Sequence, residues 1–307
     1  TDLLGDEERK LRDFYRVGMD EAKINATGAS SLASLFHRID GIASVDDLIN
    51  EIGRLRAGGI DALFNFNVEQ DEKQSERYAA HLHQGGMGLP DRDYYVGTSP
   101  DSRRICEKYR EHIGKMLQLL GDEPDAAQAG AIAILNIETK LAERARTPVQ
   151  LRDREAQYHK KSLGELGTLA PNVTWPRYFA AVGVDNLRDV IVGQPEFFER
   201  ASELVKSVSL ADWKTYLRWH VLHNFAAYLS RDFEDEDFRF YSQELRGTKE
   251  MQPRWKRVIT TIDHEMGEAL GKLYVAKRFP PAAKQRMDEM VANLAAAYRE
   301  RLSSRDW

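Results

Sequence analysis

The chain has 307 residues, 30% of them charged and 42% hydrophobic, with a formal net charge of −5. That length buries a sizeable core without disulfides or metals as staples, and the composition excludes an intrinsically disordered segment. Acidic and basic residues are interleaved with no Lys/Arg block to meet a phosphate backbone, which argues against a nucleic-acid partner, and Cys106 is the one cysteine, which excludes an internal disulfide or a thiolate metal cluster.

No apolar run approaches the ~18 residues that span a bilayer. The opening TDLLGDEERKLRDFY is charged and lacks an apolar signal core, which leaves open a signal ahead of it. Glu7–Ala26 reads as helical. Ser44 and Asp47 then form an S-x-x-D capping box before Val45, Leu48, Ile49, Ile52 and Leu55 at helical spacing, and Gly58-Gly59 ends that helix. Phe64, Phe66 and Val68 alternate with Asn65 and Asn67, and Tyr78, Ala80 and Leu82 alternate again. This period of two predicts one small β-hairpin near residues 62–83.

The segment GGMGLPD, Gly85–Asp91, is the strongest break. Helical patterns dominate beyond it. Ile105, Tyr109, Ile113, Met116, Leu117 and Leu120 share a face, and Cys106 beside them reads as a packed small hydrophobe. Asp125 and Gln128 are expected to cap a helix burying Ile134, Leu135 and Leu141. Ser209 and Asp212 cap one carrying Trp213, Tyr216, Leu217 and Leu222. A last helix, from about Ala282, carries Met287, Met290, Val291, Leu294, Tyr298 and Leu302 on a stripe that looks buried. The expected fold is therefore all-α, mainly helical, with that one hairpin. A helical pattern almost from Thr1, and an end at Trp307 straight after a stripe, predict a chain cut at both ends.

Three groupings invite a metal reading. His264-Glu265-Met266-Gly267-Glu268 begins like HExxH, whose histidines at i and i+4 share a helix face, but Glu268 replaces the second histidine and no third ligand is signalled. His81 and His83 point to one side of a strand, and His220 and His223 share a helix face. Ordinary solvated or partly buried histidines outweigh a metal site in each case. No G-x-S-x-G and no P-loop occurs. From the residues alone, neither a catalytic nor a metal-binding residue is assigned.

Gly86–Tyr95, reading GMGLPDRDYY, closely resembles a signature of the neprilysin family of zinc metallopeptidases, which includes endothelin-converting enzymes and bacterial oligopeptidases. Met87 stands where the family usually has Leu. LRDFYRVGMDEAKINATG, LFNFNVEQDEKQSERYAAHLHQ, IETKLAERARTPVQLRDREAQYHKKSLGEL, FYSQELRGTKEMQPRWKRVI and GEALGKLYVAKRFP resemble further family blocks in the same order, so the likeness covers essentially the whole chain. The resemblance implies that residues 1–307 are the helical, cavity-covering N-terminal domain of a zinc metalloendopeptidase that hydrolyses oligopeptides. HExxH and ExxxD, which supply the zinc site, are absent from these residues. The chain alone is thus expected to be inactive and to hold no cofactor, with zinc belonging to the parent enzyme and a missing C-terminal catalytic domain as its partner. The lack of the cysteine set used by animal members points to a bacterial-type parent, by resemblance extracytoplasmic, either periplasmic or secreted, with a membrane-anchored parent as a further option. The competing reading is a stand-alone helical peptide- or protein-binding module without peptidase activity.

Within the signature, Gly86 and Gly88 are expected to permit a tight turn, with Leu89 and Pro90 leading into Asp91 at the start of a short helix. Arg92 and Asp93, followed by Tyr94 and Tyr95, are candidates for an interdomain ion pair, with an intradomain salt bridge as the alternative.

Overall fold

The computed structural model describes residues 5–184 and 186–305. The expected chain ends at Thr1 and Trp307 lie outside them. The molecule is mainly helical with a minor β part. Its contacts form two compact units, Ile24–Glu250 and a second made from the stretches before Ile24 and after Glu250.

In the first unit the helix Val45–Ala57 starts as its sequence requires. The Ser44 side chain accepts from the Asp47 amide at 3.1 Å, and the Asp47 carboxylate accepts from the Ser44 hydroxyl at 2.8 Å. Ser209 caps Leu210–Phe225 in the same manner. The expected cap at Asp125 is corrected: the helix Pro124–Ala142 begins two residues earlier, with Glu123 at the cap position and Pro124 in its first turn. Proline there has no amide to satisfy and its φ is already helical.

The hairpin consists of β1 (Phe64–Asp71) and β2 (Gln74–Gln84). It belongs to a four-stranded sheet of order β1-β2-β4-β3, completed by β3 (His159–Ser162) and β4 (Asp189–Val192). β4 runs parallel to β2, with His81 opposite Ile191, and antiparallel to β3. Four-residue strands are too short to show a period, and β3 carries no apolar residue at all. The middle of β2 is covered on both faces. Ala79, Ala80, His81 and Leu82 are all buried, whereas Val68 and Tyr78 toward the hairpin's turn are exposed. Alternation of burial requires one solvated face, and the middle of β2 has none.

Asp71 closes the hairpin. Its carboxylate accepts from the Lys73 and Gln74 amides at 2.9 and 3.2 Å, from the Tyr158 hydroxyl at 2.9 Å and from Lys160 Nζ at 2.9 Å, which ties β1 to β3. Burial alone would raise its pKa, but these donors, Lys160 first among them, outweigh burial and hold it at about 2. A depressed carboxyl stabilises the fold above its unfolded pKa near 3.8 and loses that contribution as pH falls toward 2. Asp71→Asn is expected to cost about 1 kcal/mol at neutral pH, allowing for solvent screening at the sheet rim. It should also flatten the stability profile between pH 4 and pH 2, as read by urea unfolding at several pH values. An unchanged profile would show that the network carries no linkage.

In the second unit the helix Asp6–Met19 packs on Arg254–Arg278 through Leu11, Val258 and Ile262. Gly18 allows this approach, since a β-carbon there would lie 2.7 Å from a Val258 methyl. Arg254 Nε donates to the Gly18 carbonyl at 2.7 Å. The stripe of the last helix, Pro281–Ser303, is not buried: Met287 is 46% exposed, Leu294 51% and Tyr298 65%.

Candidate functional site

The signature segment forms the centre of a buried hydroxyl–carboxyl network in the larger unit. Glu138 lies on Pro124–Ala142, on the stripe of Ile134 and Leu141, and is completely buried. The Tyr95 hydroxyl donates to its Oε2 at 2.7 Å and the Tyr109 hydroxyl to its Oε1 at 3.1 Å. His220 Nε2 lies 3.5 Å from Oε1. Trp219 Nε1 donates to the Tyr109 oxygen at 3.0 Å, and the Leu89 amide to the Tyr95 oxygen at 2.8 Å. The Tyr216 hydroxyl donates to the Gly86 carbonyl at 2.7 Å while accepting from the Leu63 amide at 3.2 Å, and the Tyr241 hydroxyl donates to the Gly88 carbonyl at 3.1 Å. Burial, with the Glu138 charge adding to it, raises Tyr95, Tyr109, Tyr216 and Tyr241 well above the ordinary phenol value. The tyrosines are fixed as hydroxyl donors. Glu138, Tyr109 and Tyr216 are buried, and the network orients the loop.

The glycines serve this network in two ways. Gly86 has φ +67°, and a β-carbon there would lie 2.6 Å from the Leu63 Cα. Gly88 has no left-handed φ. It admits the Tyr109 ring, whose hydroxyl would lie 2.0 Å from an added β-carbon. Leu89 is buried, and Asp91 accepts from the Asp93 amide at 2.8 Å. The short helix spans Asp93–Val96 with Arg92 at its cap position, so Asp91 lies ahead of the helix it was expected to start. Arg92 Nε donates to the Ala142 carbonyl at 3.1 Å, a contact inside the unit that satisfies the end of the Glu138 helix.

Two clefts flank the loop. One, of about 280 Å³, has Asp61, Asn65 and His220 in its lining. The other, of about 590 Å³, is walled by Met87, Pro90, Tyr94 and Tyr241 and carries Asp237 and Arg246. His223 borders both. Burial, then the charges of His220 and His112, push its pKa down to about 3, so it is neutral at physiological pH. Asp237 ends the helix Arg231–Asp237 just ahead of a π-helical segment, Phe238–Glu244, and burial, opposed by Arg246 and reinforced by Glu236, raises it to about 6. Glu236 itself is satisfied, accepting from Arg239 Nε at 2.7 Å with His112 Nδ1 at 2.9 Å.

The expected site residues come together only in part. Gly86, Gly88, Leu89 and Tyr95 join the Glu138 network, Pro90 and Tyr94 border the larger cleft, and Arg92 points to a backbone carbonyl. Glu138, Tyr109, Tyr216, Tyr241 and Asp237 were not singled out. The available signal was Glu138, a carboxylate set among Ile134, Ile137 and Leu141 on an apolar helix face.

A zinc ion does not fit the described residues. His264 and Glu268 are exposed, and between them Met266 leaves the helical conformation at φ −137°, ψ 30°, so they do not share one regular turn. His81 is buried and stacks on His83 at 5.8 Å, with Glu72 4.0 Å away. Among the described residues no group of three or more His, Cys, Asp or Glu is placed to hold a metal.

Endothelin-converting enzyme 1 of Cavia porcellus is 28% identical over 318 residues, covering 100% of this chain and 42% of that protein. Neprilysin-3 of Drosophila melanogaster is 26% identical, covering 98% and 41%. The open state of the Mycobacterium tuberculosis zinc metalloprotease Zmp1 superposes with a TM-score of 0.89 at 33% identity, covering 100% of this chain and 48% of that one. The chain thus spans less than half the length of the relatives it matches. The sequence profile of peptidase family M13 matches residues 2–307, and the chain belongs to that family.

Proposed function

We propose that this chain is the non-catalytic helical portion of a zinc metalloendopeptidase that hydrolyses oligopeptides, and that it forms the wall and access route of the peptide cavity. Its partner is a C-terminal catalytic domain, which brings the zinc and the reacting groups. The chain's own contribution is shape, admitting peptides and excluding folded proteins. The parent is a bacterial, extracytoplasmic enzyme; among the described residues no helix is long and apolar enough to cross a membrane.

The observation that carries the reading is the last helix. Met287, Met290, Val291, Leu294, Tyr298 and Leu302 form a stripe on Pro281–Ser303 with every member between 46% and 65% exposed. A contiguous apolar face of this kind marks a surface that a partner covers.

The 307-residue chain, purified alone, is expected to show no peptide hydrolysis and to self-associate in sedimentation experiments at micromolar concentration. The double substitution Met290→Glu with Leu294→Glu returns it to a monomer, because two charges on the stripe must be desolvated for association to proceed. In the product of the whole gene, the same pair lowers peptide turnover at least tenfold by loosening the catalytic domain. A chain that is monomeric as it stands, from a gene that ends at the Trp307 codon, would instead support the stand-alone module.

A further inference from the structure

The smaller unit, made from the stretches before Ile24 and after Glu250, has little core of its own. Among the described residues its buried apolar side chains are Leu11, Val258 and Ile262, and the last helix, Pro281–Ser303, buries none. The same unit carries more than half of the exposed large apolar side chains among the described residues. They recur one helical turn apart, Phe14 with Val17, Trp255 with Ile259, and Met290 with Leu294. Each of its three long helices therefore turns an apolar face to solvent.

A core of three side chains is too small to order a unit of this length, and a helix with no buried residue is marginal in water. The larger unit has no such deficit, since its buried core runs from Leu32 to Phe240. The chain spans less than half of endothelin-converting enzyme 1 and of Zmp1, so more than an equal length of those relatives remains to cover the exposed faces. Two copies of one chain meet through a single self-complementary patch. Apolar faces on three helices, drawn from stretches far apart in sequence, call for a larger body.

We propose that the smaller unit belongs to the catalytic half of the enzyme, whose core is completed by the helices Asp6–Met19, Arg254–Arg278 and Pro281–Ser303, and that Ile24–Glu250 alone is the covering domain. The inference rests on the reading that a catalytic half accompanies this chain. It extends the covered surface from the last helix to the first and moves the domain boundaries to Ile24 and Glu250.

The test is hydrogen exchange, read by mass spectrometry, on the 307-residue chain at submicromolar concentration and on the product of the whole gene. In the chain alone, the amides of the three helices should exchange about a hundredfold faster than those of Pro100–Leu119 and Leu210–Phe225. In the whole-gene product they should slow by about the same factor. Val17→Asp carries the test to the first helix. In the chain alone it leaves exchange in the larger unit unchanged; in the whole-gene product it returns the smaller unit to fast exchange. Tyr228→Asp, at a residue 56% exposed on the larger unit, leaves exchange in the smaller unit as it was. Slow exchange of the three helices in the chain alone overturns the proposal, as does a Val17→Asp product that exchanges like its parent. Fast exchange of these helices in a whole-gene product that hydrolyses peptides also overturns it, while leaving the peptidase reading intact. A gene that ends at the Trp307 codon removes that reading, and this proposal with it.

Discussion

Glu138→Ala is expected to lower the unfolding free energy by about 4 kcal/mol, with a matching fall in the urea midpoint. The carboxyl is completely buried and accepts from the Tyr95 and Tyr109 hydroxyls. Each buried donor that loses its acceptor costs roughly 1–3 kcal/mol, more where the acceptor is charged. The cavity left by the side chain adds to this. The loss spreads beyond two hydrogen bonds, because Tyr95 also anchors the Leu89 amide and Tyr109 is held by Trp219. Glu138→Gln keeps the volume and one carbonyl acceptor, so it should lose about half as much. A Glu138→Ala variant within 1 kcal/mol of the parent would show that the network contributes orientation and no stability.

Gly86→Ala should destabilise by about 3 kcal/mol or more. At φ +67° an alanine pays about 1 kcal/mol in backbone strain alone. The larger part is steric. The new β-carbon would lie 2.6 Å from the Leu63 Cα and 2.5 Å from the Tyr216 oxygen, and backbone cannot swing aside as the end of a side chain can. Leu63 is itself buried with a left-handed φ of 71°, an uncommon conformation for a leucine, so the two irregular backbones hold each other with Tyr216 as the pin. Gly59→Ala is the internal control. Its φ is +82°, but nothing lies within 4 Å of the added carbon, so strain alone should cost about 1 kcal/mol. Equal losses at the two positions, measured by chemical denaturation, would remove the close-approach argument.

These residues show what was legible in the sequence. Periodic helices such as Pro100–Leu119, with Ile105, Tyr109, Ile113, Met116 and Leu117 buried, declare themselves because burial and spacing agree. Serine caps at Ser44 and Ser209 are local chemistry and read correctly for the same reason. The strands β3 and β4 exist because of a distant neighbour and carry too few residues for any local signal. The stripe on the last helix had the right period and an unexpected environment, since periodicity shows that a face is apolar and says nothing of what covers it. At the signature, the family resemblance marked Gly86 and Gly88 as special. Only the structure shows that one needs a left-handed φ and the other needs room for a tyrosine. Asp237 was hidden because a carboxylate without hydrogen-bond donors looks, in one dimension, like any surface aspartate.

The parallel pairing of β4 on β2 sets an order for the folding of the larger unit. His81 and Ile191 are about 110 residues apart, and the loop between them cannot close until much of the intervening helical chain has condensed. The hairpin of β1 and β2 needs no such wait. Until the late strand arrives, the middle of β2 presents unpaired backbone groups, and the apolar run Val190-Ile191-Val192 is itself uncovered. Both halves of that junction can pair with other chains in the meantime. Refolding yield should therefore fall with protein concentration, and the nascent chain is most vulnerable to aggregation before Val192 has emerged and docked.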